Sequence, residues 1–460
     1  MLNERWEMWK GRREMVRAFP SPVSHPDISH PITKTSWLIA ATLALITGLA
    51  WAQADEGRVV VLTSYPEELT ARYQAAFEAR HPGVRVDIHW RRSADALAYL
   101  LAGGVKEVDV YWTPSPGNFA RLRDEGHFAP LDIDREALPG EIAGFPISDP
   151  DGYYAAFELA GFGIAYNTGA VERLGLAPPT DWADLADPAY AGRVQLPVPA
   201  RTGFAPALIE AVLQAYGWEE GWATLAAIAA NGTFFAPGAG GPDPLASGEV
   251  AARMVIDFFA DEEGVAFVYP AKTAFNPAHI AVFAGAPNPR VAREFVAFAL
   301  SGEGQQLLLH PDVRRLPVRR DIYYASSDLA VQPFAQDNLA YDGELTQARK
   351  GLVAALFDAA LVARHADLVP LWQALHEAEL GGRGSDPAVR EARTLLTAVP
   401  VGEGEQADAA LRALFADPAQ DQETPGSALS QQRAAIIDGW AAELDGRIAT
   451  AGALLISQQP

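Results

Sequence analysis

The sequence predicts an α/β protein built as two lobes and followed by a helical extension. Three observations predict it: strand and helix patterns alternate from residue 58 onward, one long β-prone run separates two such alternating sets, and past residue 325 only helical patterns remain. With 460 residues, 49% of them hydrophobic and 20% charged, the chain can bury the cores of two or three compact units.

The elements follow in chain order. Lys34 leads into an apolar stretch, 37–50, then Ala52-Gln53-Ala54 and the polar Asp55-Glu56-Gly57. A positive flank, an apolar core and an A-x-A site predict a signal peptide cleaved after Ala54, behind an unusually long leading region in which Met15 is an alternative start. The stretch falls short of the ~20 apolar residues of a membrane span. An uncleaved N-terminal anchor is the alternative, with Trp37 and Trp51 at the membrane interface.

The first set comprises strand 59–62, helix 67–80, strand 84–90 after the turn His81-Pro82-Gly83, helix 93–101 with Ser93 as N-cap, strand 108–112 and helix 119–125. Residues 153–166, with Gly161 and Gly163, suit a crossover between lobes. A second set follows: strand 193–198, helices 205–216 and 221–231, a Gly/Pro-rich loop 237–244, a short helix 245–248 and strand 252–259. Strands 265–269 and 280–283 carry the chain back to helix 290–300, to 302–309 and to Leu316-Pro317-Val318. The expected domains are therefore 57–157 plus 277–325 for lobe 1, 158–276 for lobe 2, and 326–460 for a helical extension. That extension has helices at 345–363, 368–380, 387–396, 407–415 and 427–455, and serves either as a packed appendage or as an arm for a partner.

Residues 1–54 carry six Lys/Arg and four Asp/Glu, so from the 36 and 58 of the whole chain 30 basic and 54 acidic residues remain, a net of −24. Such a surface repels nucleic acid and anionic lipid, which disfavours nucleic-acid partners, so none is expected. The absence of cysteine excludes disulfides, thiolate metal sites and cysteine nucleophiles. The nine histidines show no HExxH-type spacing, so no metal site and no cofactor are expected.

Five segments carry a resemblance: 59–78 (VVVLTSYPEELTARYQAAFE), 180–196 (TDWADLADPAYAGRVQL), 229–232 (AANG), 245–257 (LASGEVAARMVID) and 286–306 (APNPRVAREFVAFALSGEGQQ). In this order, over residues 58–322, the chain resembles extracellular solute-binding proteins of the iron(III)/phosphoglycerate/phosphonate type. The resemblance implies a type II periplasmic binding fold, two hinged α/β lobes that close like a Venus flytrap, and a ligand in the cleft. It also implies a periplasmic, monomeric, non-catalytic component of an ABC importer, whose partners are a small solute and an inner-membrane permease.

Open α/β sheets bind ligands beyond the carboxyl ends of their strands, where loops meet helix N-termini. Three such loops are readable. Thr63-Ser64-Tyr65 follows the first strand, and Ser64 with Glu67 also forms a capping-box pattern. Thr113-Pro114-Ser115 follows the third strand, as a site or as an ordinary turn. Arg201-Thr202-Gly203 joins a strand to a helix, and its guanidinium, hydroxyl and glycine N–H make the best anion cradle, with surface salt bridging of Arg201 as the alternative. Thr273 and Asn276 complete the shell, or are turn chemistry before Pro277.

In the iron-binding branch a tyrosine pair follows the strand that here ends in Asp257. This sequence has Phe258-Phe259 instead, and phenyl rings cannot ligate iron. Tyr153-Tyr154 and Tyr323-Tyr324 lie elsewhere and are expected to pack in the core or at an interface. The resemblance therefore points to a small anionic solute such as a phosphate ester or phosphonate, with Asp257 accepting a hydroxyl or pairing with an ammonium. Fe(III) bound without the tyrosine pair, and a sensing role that docks on a membrane kinase, are the alternatives. An enzyme is disfavoured: there is no G-x-S-x-G elbow, and the loop 238–241 lacks the Lys and Ser/Thr of a P-loop.

Overall fold

The computed structural model describes residues 57–235, 243–260, 262–325, 332–335, 338–416 and 427–456; the expected signal segment and residues 237–242 of the Gly/Pro-rich loop lie outside them. Strands β1 (Arg58–Thr63), β2 (Arg85–Trp90) and β3 (Val110–Thr113) run parallel, with helices α1 (Glu67–Arg80), α2 (Ser93–Leu101) and α3 (Pro116–Asp124) between and after them. The continuous apolar run of β1 has a direct cause. Val59 and Val61 enter one core while Val60 and Leu62 enter another, because successive side chains leave opposite faces of a sheet covered on both sides.

After a short hairpin, β4 (Glu141–Ile142) and β5 (Phe145–Pro146), comes the long strand β6 (Ala155–Asn167). Helix α4 (Thr168–Arg173), β7 (Val194–Pro197), α5 (Ala205–Tyr216), α6 (Trp218–Ala230), β8 (Gly232–Phe235), α7 (Pro244–Ser247), β9 (Ala252–Ile256), β10 (Val265–Val268) and β11 (Phe275–Val282) follow. The sheet order is β2-β1-β3-β11-β6-β9-β7-β8. The long strand β6 holds its halves together. Residues 155–160 of β6 pair with β11, whereas 162–166 pair with β9, and the change of partner falls at Gly161. A Cβ there would lie 2.4 Å from the Tyr269 ring, so only glycine allows this approach. Helices α8 (Pro289–Ala299) and α9 (Gly302–Gln306), then β12 (Leu316–Pro317) against β6 and α10 (Arg320–Ala325), return the chain to the first half.

The extension comprises α11 (Gly343–Phe357), α12 (His365–Ala378), α13 (Pro387–Thr397), α14 (Glu403–Gln406), α15 (Ala409–Leu414) and α16 (Ala428–Ile456). Its apolar faces share one core with α5 and α6: Leu352, Phe357, Trp372, Leu396 and Leu444 pack with Leu208, Trp222 and Leu225. Each such side chain contributes about 1.5–3 kcal/mol through burial. Arg349 on α11 clamps Glu210 on α5 through two bonds, Nε to Oε1 at 2.6 Å and Nη2 to Oε2 at 2.7 Å, with both side chains buried. The extension is thus a packed appendage of this half.

Several expected boundaries move for local reasons. Helix α6 begins at Trp218 rather than residue 221, because Gly217 at φ 86° ends one helix and opens the next. Strand β9 stops at Ile256, and Asp257 opens a single 3₁₀ turn, Asp257–Phe259. β11 begins at Phe275, so the segment read as turn chemistry around Asn276 and Pro277 is strand. Among the described residues no helix is long and apolar enough to cross a membrane.

Candidate functional site

At the carboxyl end of β1 and β3, three hydroxyls converge. Ser64 Oγ makes a short bond with Thr113 Oγ1, and Ser93 Oγ lies 3.3 Å from Ser64 Oγ and 3.4 Å from Thr113 Oγ1. Asn118 holds the group from beneath, its Nδ2 donating to the Ser93 carbonyl at 2.9 Å and to the Tyr111 hydroxyl at 2.8 Å. The expected capping box at Ser64 does not form. Pro66, not Ser64, is the N-cap of α1, and Glu67 is the first helical residue, one position from the cap instead of three. Ser93 likewise is the first residue of α2, after the N-cap Arg92. Ser115 is the N-cap of α3, and its side chain makes no capping bond.

On the other half the loop Arg201-Thr202-Gly203 leads into α5. Gly203 is exposed, with open space where a Cβ would point. Thr202 is buried, and its hydroxyl has no hydrogen-bond partner among the described residues. Arg201 is exposed and makes no ion pair among them. Its surroundings include a carboxylate that the sequence reading did not foresee. Helices α5 and α11 run antiparallel: Glu210 meets Arg349, and Gln214 meets Thr346. Continuing that register brings Asp358, just past α11, level with Arg201. Burial raises the Asp358 carboxyl above its usual range, with the Arg201 charge acting against that rise.

Between these loops lies a network that the sequence reading missed. Glu158, buried within β6, accepts from Tyr65 Oη at 2.8 Å and from Arg315 Nη1 at 2.9 Å, both at Oε1. Its Oε2 is buried and has no hydrogen-bond partner among the described residues. Burial pushes the Glu158 carboxyl up, opposed by the Arg315 charge and the Tyr65 bond. The Arg315 guanidinium lies 3.6 Å from the centroid of the Phe258 ring, a cation–π contact between the two halves. From there ring contacts continue through Phe259 at 4.7 Å to Phe204 at 5.9 Å, next to Gly203. The Ser64 and Gly203 loops are therefore linked through Tyr65, Arg315 and the phenylalanine pair.

Asp257 sits beside this path. Its Oδ2 accepts from the Gly161 N–H at 2.7 Å and from Tyr269 Oη at 3.1 Å, while Oδ1 accepts from the Phe258 N–H at 2.8 Å. Burial nevertheless dominates and raises its carboxyl to about 7. Thr273 is spent as a staple: it is buried and donates to the Phe162 carbonyl at 2.6 Å. Asn276 is half-buried opposite Ala160, with no side-chain hydrogen bond among the described residues.

Of the tyrosine pairs, Tyr154 packs on Phe119 and His279, and Tyr323 on Phe334. Tyr324 lies outside the core, being 84% exposed. No group of three or more His, Cys, Asp or Glu among the described residues is placed to hold a metal ion.

The family model of the bacterial extracellular solute-binding proteins matches residues 112–332. The chain is 30% identical over 375 residues to the phosphoglycerate transport regulatory protein of Salmonella typhimurium, a match covering 79% of this chain and 91% of that one. In structure it is similar to ferric iron-binding protein A of Mannheimia haemolytica in an open conformation, with a TM-score of 0.51 and 17% identity over 66% of this chain and 98% of that one. It is also similar to a Trichodesmium protein solved with iron and citrate, with a TM-score of 0.50 and 18% identity over the same shares, 66% and 98%. At such identity the likeness shows the fold, a type II periplasmic binding fold, here with C-terminal helices added.

Proposed function

We propose that this chain, which belongs to the bacterial extracellular solute-binding proteins, captures a small phosphorylated anion in the periplasm by closing its two lobes over it. Family and fold are those of the solute-binding components of ABC-type importers, not of enzymes. The observation that carries the choice of ligand is Arg315. Its guanidinium stands where the two halves meet, spends one bond on Glu158, and has further N–H donors in a fixed planar fork suited to a phosphoryl group.

On this reading the ligand bridges the halves. The Ser64, Ser93 and Thr113 hydroxyls and the first N–H groups of α2 take one side of the phosphoryl group, with Ser115 at their edge. Thr202, the Gly203 N–H and Arg201 take the other side, and Asp257 accepts a ligand hydroxyl. Asn276 lies at the crossover, and Thr273 holds the strand that carries it. Lobe 1 (57–157 with 277–325) and lobe 2 (158–276) turn about β6 at Gly161, the ligand favouring the closed arrangement because only that arrangement joins both half-sites. The extension, 326–460, moves with lobe 2. Cleavage after Ala54, a monomeric state and delivery to an inner-membrane permease belong to the same proposal.

The relative named for phosphoglycerate transport supports this ligand class. Phe258-Phe259 counts against iron held by a tyrosine pair, since neither ring offers an oxygen. The test is a thermal-shift screen of the purified protein against 3-phosphoglycerate, alkylphosphonates, citrate and Fe(III). A phosphate ester at a hundred times its Kd adds about 2.7 kcal/mol to stability. Stabilisation by Fe(III) alone would overturn the proposal.

A further inference from the structure

Trp90 is the last residue of β2 and aligns with Thr63 across the β1–β2 ladder, one residue before Ser64. Its side chain is 59% exposed, whereas Trp112, Trp182, Trp222 and Trp372 are fully buried. The indole is nonetheless held in place, because its Nε1 donates to the Ser64 carbonyl at 3.2 Å. That bond anchors the indole to the backbone of Ser64, the residue whose hydroxyl meets those of Ser93 and Thr113, and leaves much of the ring surface in water. The two cations that follow are engaged elsewhere: Arg91 stacks on Tyr99 at 4.2 Å, and Arg92 pairs with Asp95 at 2.8 Å. Among the described residues the indole is one of the few large apolar side chains left exposed.

We infer that Trp90 is a ligand-contacting residue that selects for size and shape. Its indole forms a wall of the half-site on lobe 1 and stacks on the C–H face of a cyclic phosphate ester whose phosphoryl group rests on the three hydroxyls. This inference rests on the phosphorylated-anion reading above and narrows it. A ring substituent reaches from the hydroxyls to the indole and exchanges water for carbon on both surfaces. A three-carbon ester that fills the hydroxyl pocket leaves the indole wet.

The test compares glucose 6-phosphate with glycerol 3-phosphate by titration calorimetry, using the purified wild-type protein, Trp90→Ala and Trp90→Phe. The expected result is tighter binding of glucose 6-phosphate by the wild type, a loss of about tenfold for that ligand in Trp90→Ala, less than about twofold loss for glycerol 3-phosphate, and recovery of most of the affinity in Trp90→Phe. Because the side chain is exposed, unchanged melting temperatures of the variants are part of the expectation. Equal losses for both ligands, or no loss for either, overturn the inference and leave the phosphorylated-anion reading standing. Trp90→Ala binding both esters as the wild type does, yet failing to support uptake in cells, makes Trp90 a permease contact and also overturns it. A wild type that binds neither ester overturns the inference, while the phosphorylated-anion reading is decided separately by the thermal-shift screen with 3-phosphoglycerate and alkylphosphonates.

Discussion

Replacing Asp257 by asparagine should change how the stability of this protein depends on pH. The carboxyl is raised to about 7 from an ordinary 3.8, chiefly by burial. The folded chain therefore keeps a proton that the unfolded chain releases near pH 4, and folding takes up a proton across the interval between. Stability from this group is fully present below the unfolded value and is lost as pH rises to about 7. About three pH units at 1.36 kcal/mol each make a loss of about 4 kcal/mol. Asparagine cannot titrate, so Asp257→Asn should lack that slope. Its amide can still accept from the Gly161 N–H, but its NH₂ then faces the Phe258 N–H, at a cost of about 1 kcal/mol at every pH. Urea unfolding of both proteins between pH 4.5 and 8 measures the difference. At pH 4.5 the wild type has already given up about 1 kcal/mol, so the two proteins should be about equally stable there, and the variant should be the more stable by about 3 kcal/mol at pH 8. A difference that stays constant with pH would show that Asp257 does not hold a proton in the folded state.

Three further expectations follow from named contacts. Arg315→Lys keeps the charge but loses the planar fork and the stacking on Phe258, so ligand affinity should fall about tenfold with little change in melting temperature; binding at wild-type strength would remove Arg315 from the site. Arg201→Ala should weaken ligand binding tenfold or more, the equivalent of about 1.5–3 kcal/mol for a hydrogen bond to a charged group, and an unchanged affinity would mean that Arg201 serves Asp358 instead of the ligand. Arg349→Met leaves Glu210 buried without its partner and should cost about 3–5 kcal/mol, seen in urea unfolding together with faster proteolysis within the extension; a loss under about 1 kcal/mol would refute the role given to that pair.

How much of this was legible in the sequence differs from element to element. β1 and β3 were readable because their residues are apolar on both faces, a pattern with few competing explanations. Only the end of β11 was, since Asn276-Pro277 looks like a turn, and the tolerance of Pro277 in a strand depends on its antiparallel neighbour Leu159. The loops carrying Ser64 and Thr202-Gly203 were read as candidates from the rule that ligands gather at strand ends, and the structure places them after β1 and β7. Arg315 was not, because its partners Glu158 and Phe258 are far away in sequence and no local pattern marks it. Glu158 did leave a signal that went unused: it is a lone carboxylate in the apolar run AAFELAGFG, and a buried charge requires a partner. Asp358 was hidden in the same way. Its relation to Arg201 exists only through the antiparallel register of α5 and α11.

The clamp of Arg349 on Glu210 has a mechanical consequence. On the closure proposed above, it fastens a long rigid body to one side of the pivot at Gly161, so that side carries a lever. Helix α16 has 29 residues and is about 44 Å long at 1.5 Å per residue. A point about 40 Å from the pivot travels about 7 Å for every 10° of rotation, by arc length at that helix scale. A change too slight to see at the cleft would be plain at such a tip. Spectroscopic labels placed there would report occupancy as a distance, and a membrane protein touching it would feel the same amplified stroke.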